Sequence, residues 1–189
     1  MDDVDLLVSR LLHPDRLWSR SECLARPSPV PKTHGLYGWY FRAVPSEIDV
    51  SGCVRIAGCT LLYVGIAPTK ALGHNGLPST SSLRSRVRMH YAGNAESSTL
   101  RLTLCTLLAA ELSLSRDWTR RSKSFGAGEA KLSEWMDHNA YVTCVEHPVP
   151  WSIERPVIVR LDLPLNLAHN RNHPFWMRLT AARSRRPRS

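Results

Sequence analysis

Apolar residues recur with two periods along this chain. Val4, Leu7, Val8, Leu11 and Leu12 follow helical spacing, predicting a short amphipathic helix closed by Pro14. Residues 26–34 are too proline-rich for helix or ladder and read as an extended entry segment. Residues 35–44 and 60–66 are aromatic and β-branched runs, read as two strands. Pro45, Ser51-Gly52 and Gly58 mark a long connection between them, with room for an extra short strand. After an exposed loop over 67–80, Ser81 or Ser82 caps a helix reaching Tyr91, with Leu83, Val87 and Tyr91 on its inner face. Residues 98–114 predict a more apolar helix, 115–128 a basic flexible stretch, 129–139 a helix and 141–146 a third strand. Ser152 is expected to cap a helix over 153–161, with Pro156 in its first turn. Residues 164–189 read as irregular and basic. The sum is a small α/β (α+β) domain, an antiparallel three-stranded sheet flanked by helices.

Composition adds charge to this picture. The 189 residues carry a net charge of +9, which draws a protein towards polyanions, nucleic acid first among them. Five cysteines without a Cys-x-x-Cys pair fit neither a disulfide framework nor a four-thiolate zinc site. They read as reduced thiols of a cytoplasmic protein. The acidic start is unlike a signal peptide, and no apolar run is long enough to span a membrane.

The informative feature is an ordered set of residues. Gly35-Leu36-Tyr37 lies on the first strand and Tyr63-Val64-Gly65 on the second. Arg86 and His90 follow on the next helix, then Glu154 and Pro164-Leu165-Asn166. Each tripeptide alone is a weak signal. The order of two tyrosines, arginine, histidine, glutamate and asparagine resembles the GIY-YIG nuclease family, with Leu36 and Val64 replacing its isoleucines. The resemblance covers residues 33–180, leaving 1–32 as an entry region and 181–189 as a basic tail. It is closest to the restriction-endonuclease-like branch, which has a long connection between the tripeptides and an Arg-x-x-x-His helix. The Asn170-Arg171-Asn172-His173-Pro174-Phe175 stretch is similar to a marker near the C-terminus of such members.

The resemblance implies a divalent-metal-dependent DNA endonuclease, and the residue types suit that chemistry. Phosphodiester hydrolysis needs an activated water, stabilisation of charge on the phosphoryl oxygens and help for the leaving oxygen. Arg86 can fork onto phosphate oxygens, and His90, four residues on, shares its helix face. Glu154 is a hard oxygen ligand for Mg²⁺ or Mn²⁺. Tyr37 is the expected general base, its phenol to be brought down by the arginine and the metal from an ordinary pKa of about 10. Tyr63 is expected to support the water or phosphate, and Asn166 to position phosphate or base by hydrogen bonds.

Each of these residues also has a plainer reading: packing for the tyrosines, a solvated face for Arg84, Arg86 and Arg88, a helix-start carboxylate for Glu154, a turn for Asn166. His169 and His173 have zinc-ligand spacing only if helical, and Pro174 argues against a helix. DNA contacts are expected from Arg84, Arg88, Lys70, Arg171 and His173, from Arg116, Arg120, Arg121 and Lys123 in the basic loop, and from Arg183, Arg185, Arg186 and Arg188 in the tail. One active site cuts one strand per encounter, so double-strand cleavage calls for a homodimer or two visits. A catalytically silent DNA-binding module and a structure-specific repair nuclease are the alternatives.

Overall fold

The computed structural model describes residues 2–73, 79–115, 117–119 and 122–184. Helix α1 (Asp3–Leu12) is closed at its start by a capping box between Asp2 and Asp5, and buries Leu7 and Leu11. A one-turn helix, α2 (Arg20–Leu24), lies in a stretch where no element was predicted. Strands β1 (Gly35–Phe41), β2 (Arg55–Ile56) and β3 (Cys59–Ala67) follow. Ala57 and Gly58, both at positive φ, form the two-residue turn between β2 and β3. Next come α3 (Leu83–Ala92), α4 (Thr99–Leu107), a small hairpin of β4 (Asp117–Thr119) and β5 (Ser122–Ser124), and α5 (Gly128–Asn139). β6 (Ala140–Glu146), α6 (Pro150–Ile158) and α7 (Trp176–Ser184) complete the chain.

The main sheet has four strands, not the three expected, in the antiparallel order β2-β3-β1-β6. The added strand is the two-residue β2, within the connection where room for one was noted. Central β1 is buried along its whole length because both faces are covered, which explains its nearly continuous apolar sequence. On one face Tyr37, Trp39 and Phe41 pack against the layer of α3, α4, α5 and α7. On the other, Leu36 and Tyr40 pack against α1 and α6. A bulge between Trp39 and Tyr40 lets Leu62 slip out of register while Tyr63 stays opposite Trp39 and Gly65 opposite Tyr37.

Two helices differ from expectation. α6 begins at Pro150, which occupies the first helical position where a missing N–H costs nothing. Pro156 therefore falls inside the helix rather than in its first turn, and the helix stops two residues later. The C-terminal segment, expected to be irregular, carries α7. Of its nine residues only Leu179 is fully buried, so its periodicity is faint in the sequence. α4 also ends earlier than predicted, at Leu107. Among the described residues no helix is long and apolar enough to cross a membrane.

Candidate active site

The Gly-Leu-Tyr and Tyr-Val-Gly tripeptides lie side by side on neighbouring antiparallel strands. Tyr37 and Tyr63 emerge on the same face of the sheet, their ring centroids 6.5 Å apart. Gly65 stands directly opposite Tyr37, and a Cβ there would collide with the Tyr37 hydroxyl. α3 is anchored above this pair by its Ser82 cap, with Leu83, Val87 and Tyr91 facing the core. The same face carries His90, fully buried, with Nε2 2.9 Å from the Tyr37 hydroxyl. Its Nδ1 is 2.7 Å from the hydroxyl of Ser98, the residue that caps α4. A phenol, an imidazole and a hydroxyl are thus joined in one buried chain.

Arg101 locks α3 and α4 together. It is fully buried, pairs with Glu129 at 2.8 Å, and donates to the backbone carbonyls of His90 and Tyr91. Burial, with Arg86 and Arg101 nearby, holds His90 well below its ordinary pKa, so the imidazole is neutral. Burial also raises the Tyr37 phenol well above the usual value. Tyr63 adds to that effect and Arg86 opposes it. The arginine and a metal were expected to bring the phenol down; the arginine acts in that direction, and desolvation outweighs it. Tyr63 is partly exposed. Its pKa is raised by burial, against a hydrogen bond from Thr99 and the charge of Arg86.

Arg86 is partly buried and holds the carbonyl of Ser97 at 3.3 Å. Its Nε is buried with no hydrogen-bond partner among the described residues. The guanidinium also hydrogen-bonds Tyr37 and its charge bears on Tyr63, so the arginine serves both phenols. Glu154 comes from α6, in the opposite layer, yet its charge reaches both Tyr37 and Tyr63. The carboxylate is about one-fifth exposed, and burial raises its pKa while His169, with Nε2 3.6 Å away, lowers it. A half-desolvated carboxylate beside two phenols fits a hard divalent cation such as Mg²⁺ or Mn²⁺. Among the described residues no three His, Cys, Asp or Glu cluster around a metal position, so such an ion would keep most of its waters.

Asn166 has a different place from the one expected. Its Oδ1 accepts the Val64 N–H at 2.9 Å and its Nδ2 donates to the Val64 carbonyl at 2.8 Å. Both ends of the amide are spent on the backbone of the residue between Tyr63 and Gly65. Beside it, the Leu165 N–H donates to the Leu62 carbonyl at 3.1 Å.

The expected DNA-contacting residues are dispersed. Arg84 donates to the carbonyls of Val30 and Ser28, tying α3 to the proline-rich segment. The Nδ1 of His173 accepts the Phe175 N–H, and its Nε2 faces Asp162 at 2.6 Å, so both ring nitrogens are engaged inside the fold. His169 and His173 therefore turn to different carboxylates and do not form a zinc pair. Arg88 and Lys70 are exposed. Exposed Arg171 lies over the Trp176 ring, on the rim of a cleft of about 740 Å³ that also includes Arg155, His169 and Asn172. Arg116, Arg120, Arg121, Arg185, Arg186 and Arg188 lie outside the described residues, as does the side chain of Lys123. Arg183 sits on α7, near enough to Tyr63 to lower its pKa.

Ser98, Thr99 and the partnership of His169 with Glu154 were not found from the sequence. Ser98 was read only as the first residue of the predicted apolar helix, and the structure makes it the cap. His169 was noticed only for its spacing from His173.

Two tyrosines on adjacent strands, an Arg-x-x-x-His helix above them and a carboxylate arriving from a later helix define a nuclease fold. The profile of the GIY-YIG catalytic domain family matches residues 35–185, and the chain belongs to that family. No curated protein and no solved structure matches the chain.

Proposed function

We propose that this chain is a divalent-metal-dependent DNA endonuclease acting in restriction or genome defence. The observation that carries this reading is the grouping of Tyr37, Tyr63, Arg86 and His90 from β1, β3 and α3, with the charge of Glu154 from α6 bearing on both phenols. Membership of the family supports the nuclease chemistry. The long connection between the two tripeptides supports the restriction-like assignment.

In this reading Tyr37 is the general base: the Arg86 charge and a cation at Glu154 would favour its phenolate, and neutral His90, 2.9 Å from the hydroxyl and itself held by Ser98, orients the phenol. Tyr63, the more exposed phenol, orients the water at the mouth of the site. Arg86 stabilises the charge growing on the phosphoryl oxygens. A cation bound at Glu154 would neutralise the leaving oxygen. Asn166 acts by positioning: it fixes the peptide that carries Tyr63 and Gly65 and does not touch the phosphate. Arg155 and Arg171, on the cleft beside Glu154, are placed to meet the flanking DNA backbone. The side chains of Arg84 and His173, engaged within the fold, hold the scaffold.

The test is cleavage of supercoiled plasmid, methylated and unmethylated, with Mg²⁺ or EDTA. Wild type should nick or linearise the plasmid only with metal. Glu154→Ala should bind DNA and leave it intact, and Arg86→Ala should lose roughly a hundred-fold or more in kcat. Discrete fragments would identify a site-specific enzyme, and linear product whose rate rises with the square of enzyme concentration would identify a working dimer. Salt-sensitive binding without cutting of any substrate would make the chain a silent binding module on the same fold.

A further inference from the structure

We propose that His169 is a second protein ligand of the metal ion that Glu154 binds, so that the site prefers Mn²⁺ to Mg²⁺. The inference rests on the metal-dependent reading above and extends it to a residue outside the ordered set that defines the family.

Three observations carry it. His169 Nε2 lies 3.6 Å from Glu154 Oε2. A charge-assisted hydrogen bond between such groups closes to roughly 2.7–2.9 Å, so the pair stands apart by most of an ångström. Two ligands each ~2.1 Å from one ion are separated by roughly 3.0 Å at a right angle and by roughly 3.4 Å at a tetrahedral angle. The observed 3.6 Å is that of an open bite, which closes to the octahedral separation by a shift of about 0.6 Å.

The second observation is the backbone. His169 has φ +60°, in the left-handed region that a non-glycine residue enters at a cost. Nothing in the chain's direction requires a histidine there, since glycine or asparagine would make the same turn more easily. The conformation instead presents an imidazole to the carboxylate on α6.

The third is the surroundings. The pair lies beside the open cleft that carries Arg155 and Arg171, and the His169 side chain is 40% exposed against 22% for Glu154. Water and a phosphate oxygen can therefore complete the coordination shell. One imidazole and one carboxylate bind Mn²⁺ better than Mg²⁺, which keeps to oxygen donors.

The experiment reads metal binding directly on the full chain without DNA. Mn²⁺ is titrated into wild type, His169→Gly and Glu154→Gln, with free Mn²⁺ followed by its electron paramagnetic resonance. Pulsed measurements on the bound ion look for ¹⁴N coupling from an imidazole. Glycine takes the left-handed backbone freely, so the first variant removes the ligand and leaves the turn. Circular dichroism and thermal melts check that each variant is folded. The expected result is ¹⁴N coupling in wild type and none in His169→Gly, with Mn²⁺ affinity lower by on the order of tenfold. Mg²⁺, measured by competition, should change less. An unchanged or tighter Mn²⁺ affinity in His169→Gly would mean that His169 is only an ion-pair partner competing for Glu154, and would overturn the proposal. So would bound Mn²⁺ without nitrogen coupling, or no binding by wild type up to millimolar Mn²⁺. Because DNA is absent, any of these leaves the nuclease reading to the plasmid assay. Metal bound through His169 with no cleavage would count against the nuclease reading alone.

Discussion

The phenol of Tyr37 lies over the bare Cα of Gly65, its partner across the β1–β3 ladder. The last residue of the second tripeptide is a glycine because this face of the sheet has no room for a side chain there. Strand alternation puts both residues on one face of the sheet, and the site is built on that absence.

Gly65→Ala should therefore displace Tyr37 and strain the sheet. The expected cost is about 1–3 kcal/mol of stability, the range for forcing atoms into a packed interior. Denaturant unfolding checks it, and plasmid cleavage should fall together with the Tyr37–His90 contact. An unchanged midpoint would mean that the ring has space to move aside.

The two tyrosines should separate by their pH behaviour. If Tyr37 is the base, Tyr37→Phe loses cleavage at every pH. Tyr63→Phe should keep a slower reaction with the wild-type profile. Single-turnover rates across pH 6–9 would distinguish the two. A profile that changes shape only in Tyr63→Phe would transfer the role of base to the more exposed phenol.

His90 makes stability depend on pH in a defined direction. Its folded pKa is held well below the ordinary 6.5, so the unfolded chain binds a proton more readily than the native one. The contribution is fully present above about pH 6.5. It is lost as pH falls towards the folded value, with a slope of at most about 1.4 kcal/mol per pH unit from this one group. Urea midpoints between pH 5 and 8 should show that decline, and His90→Gln should flatten it. An identical slope in the variant would assign the decline to other groups.

Asn166 should behave as part of the scaffold. Asn166→Asp keeps the shape and replaces the donor facing the Val64 carbonyl with another acceptor. The loss should be about 2–4 kcal/mol, the cost of leaving buried partners unsatisfied. Stability and cleavage should fall together. Glu154→Ala, by contrast, should lose cleavage alone. A stable, inactive Asn166→Asp would return this residue to direct contact with substrate.

Much of this was legible in the sequence, and the limits have physical causes. The β1 and β3 strands announced themselves because burial on both faces demands apolar, aromatic runs, and Ser81 or Ser82 marked the start of α3 by capping chemistry, the structure choosing Ser82. α7 did not, because one fully buried leucine in nine residues gives almost no periodic signal. The start of α6 was misplaced because Ser152 and Pro150 both look like helix openings, and proline at the first position prevailed. The order of Tyr37, Arg86, His90 and Glu154 carried the resemblance to the family that the family profile bears out. The hydrogen bonds of Asn166 were not legible, since its partners are backbone atoms of Val64, which no side-chain pattern encodes.

That clamp has a further consequence for how copies of the protein meet. β2 and the preceding Val54 cover β3 from Cys59 to Leu61, so the rest of this sheet margin would present unpaired peptide groups. Leu165 and the Asn166 amide occupy the carbonyl of Leu62 and both polar groups of Val64. On the opposite margin, Trp18 and Val142 exchange two backbone hydrogen bonds. An open margin is a template for another chain's strand, and here a side-chain amide mimics the missing peptide neighbour. Strand-edge groups engaged within one molecule are no longer free to pair with a strand of another.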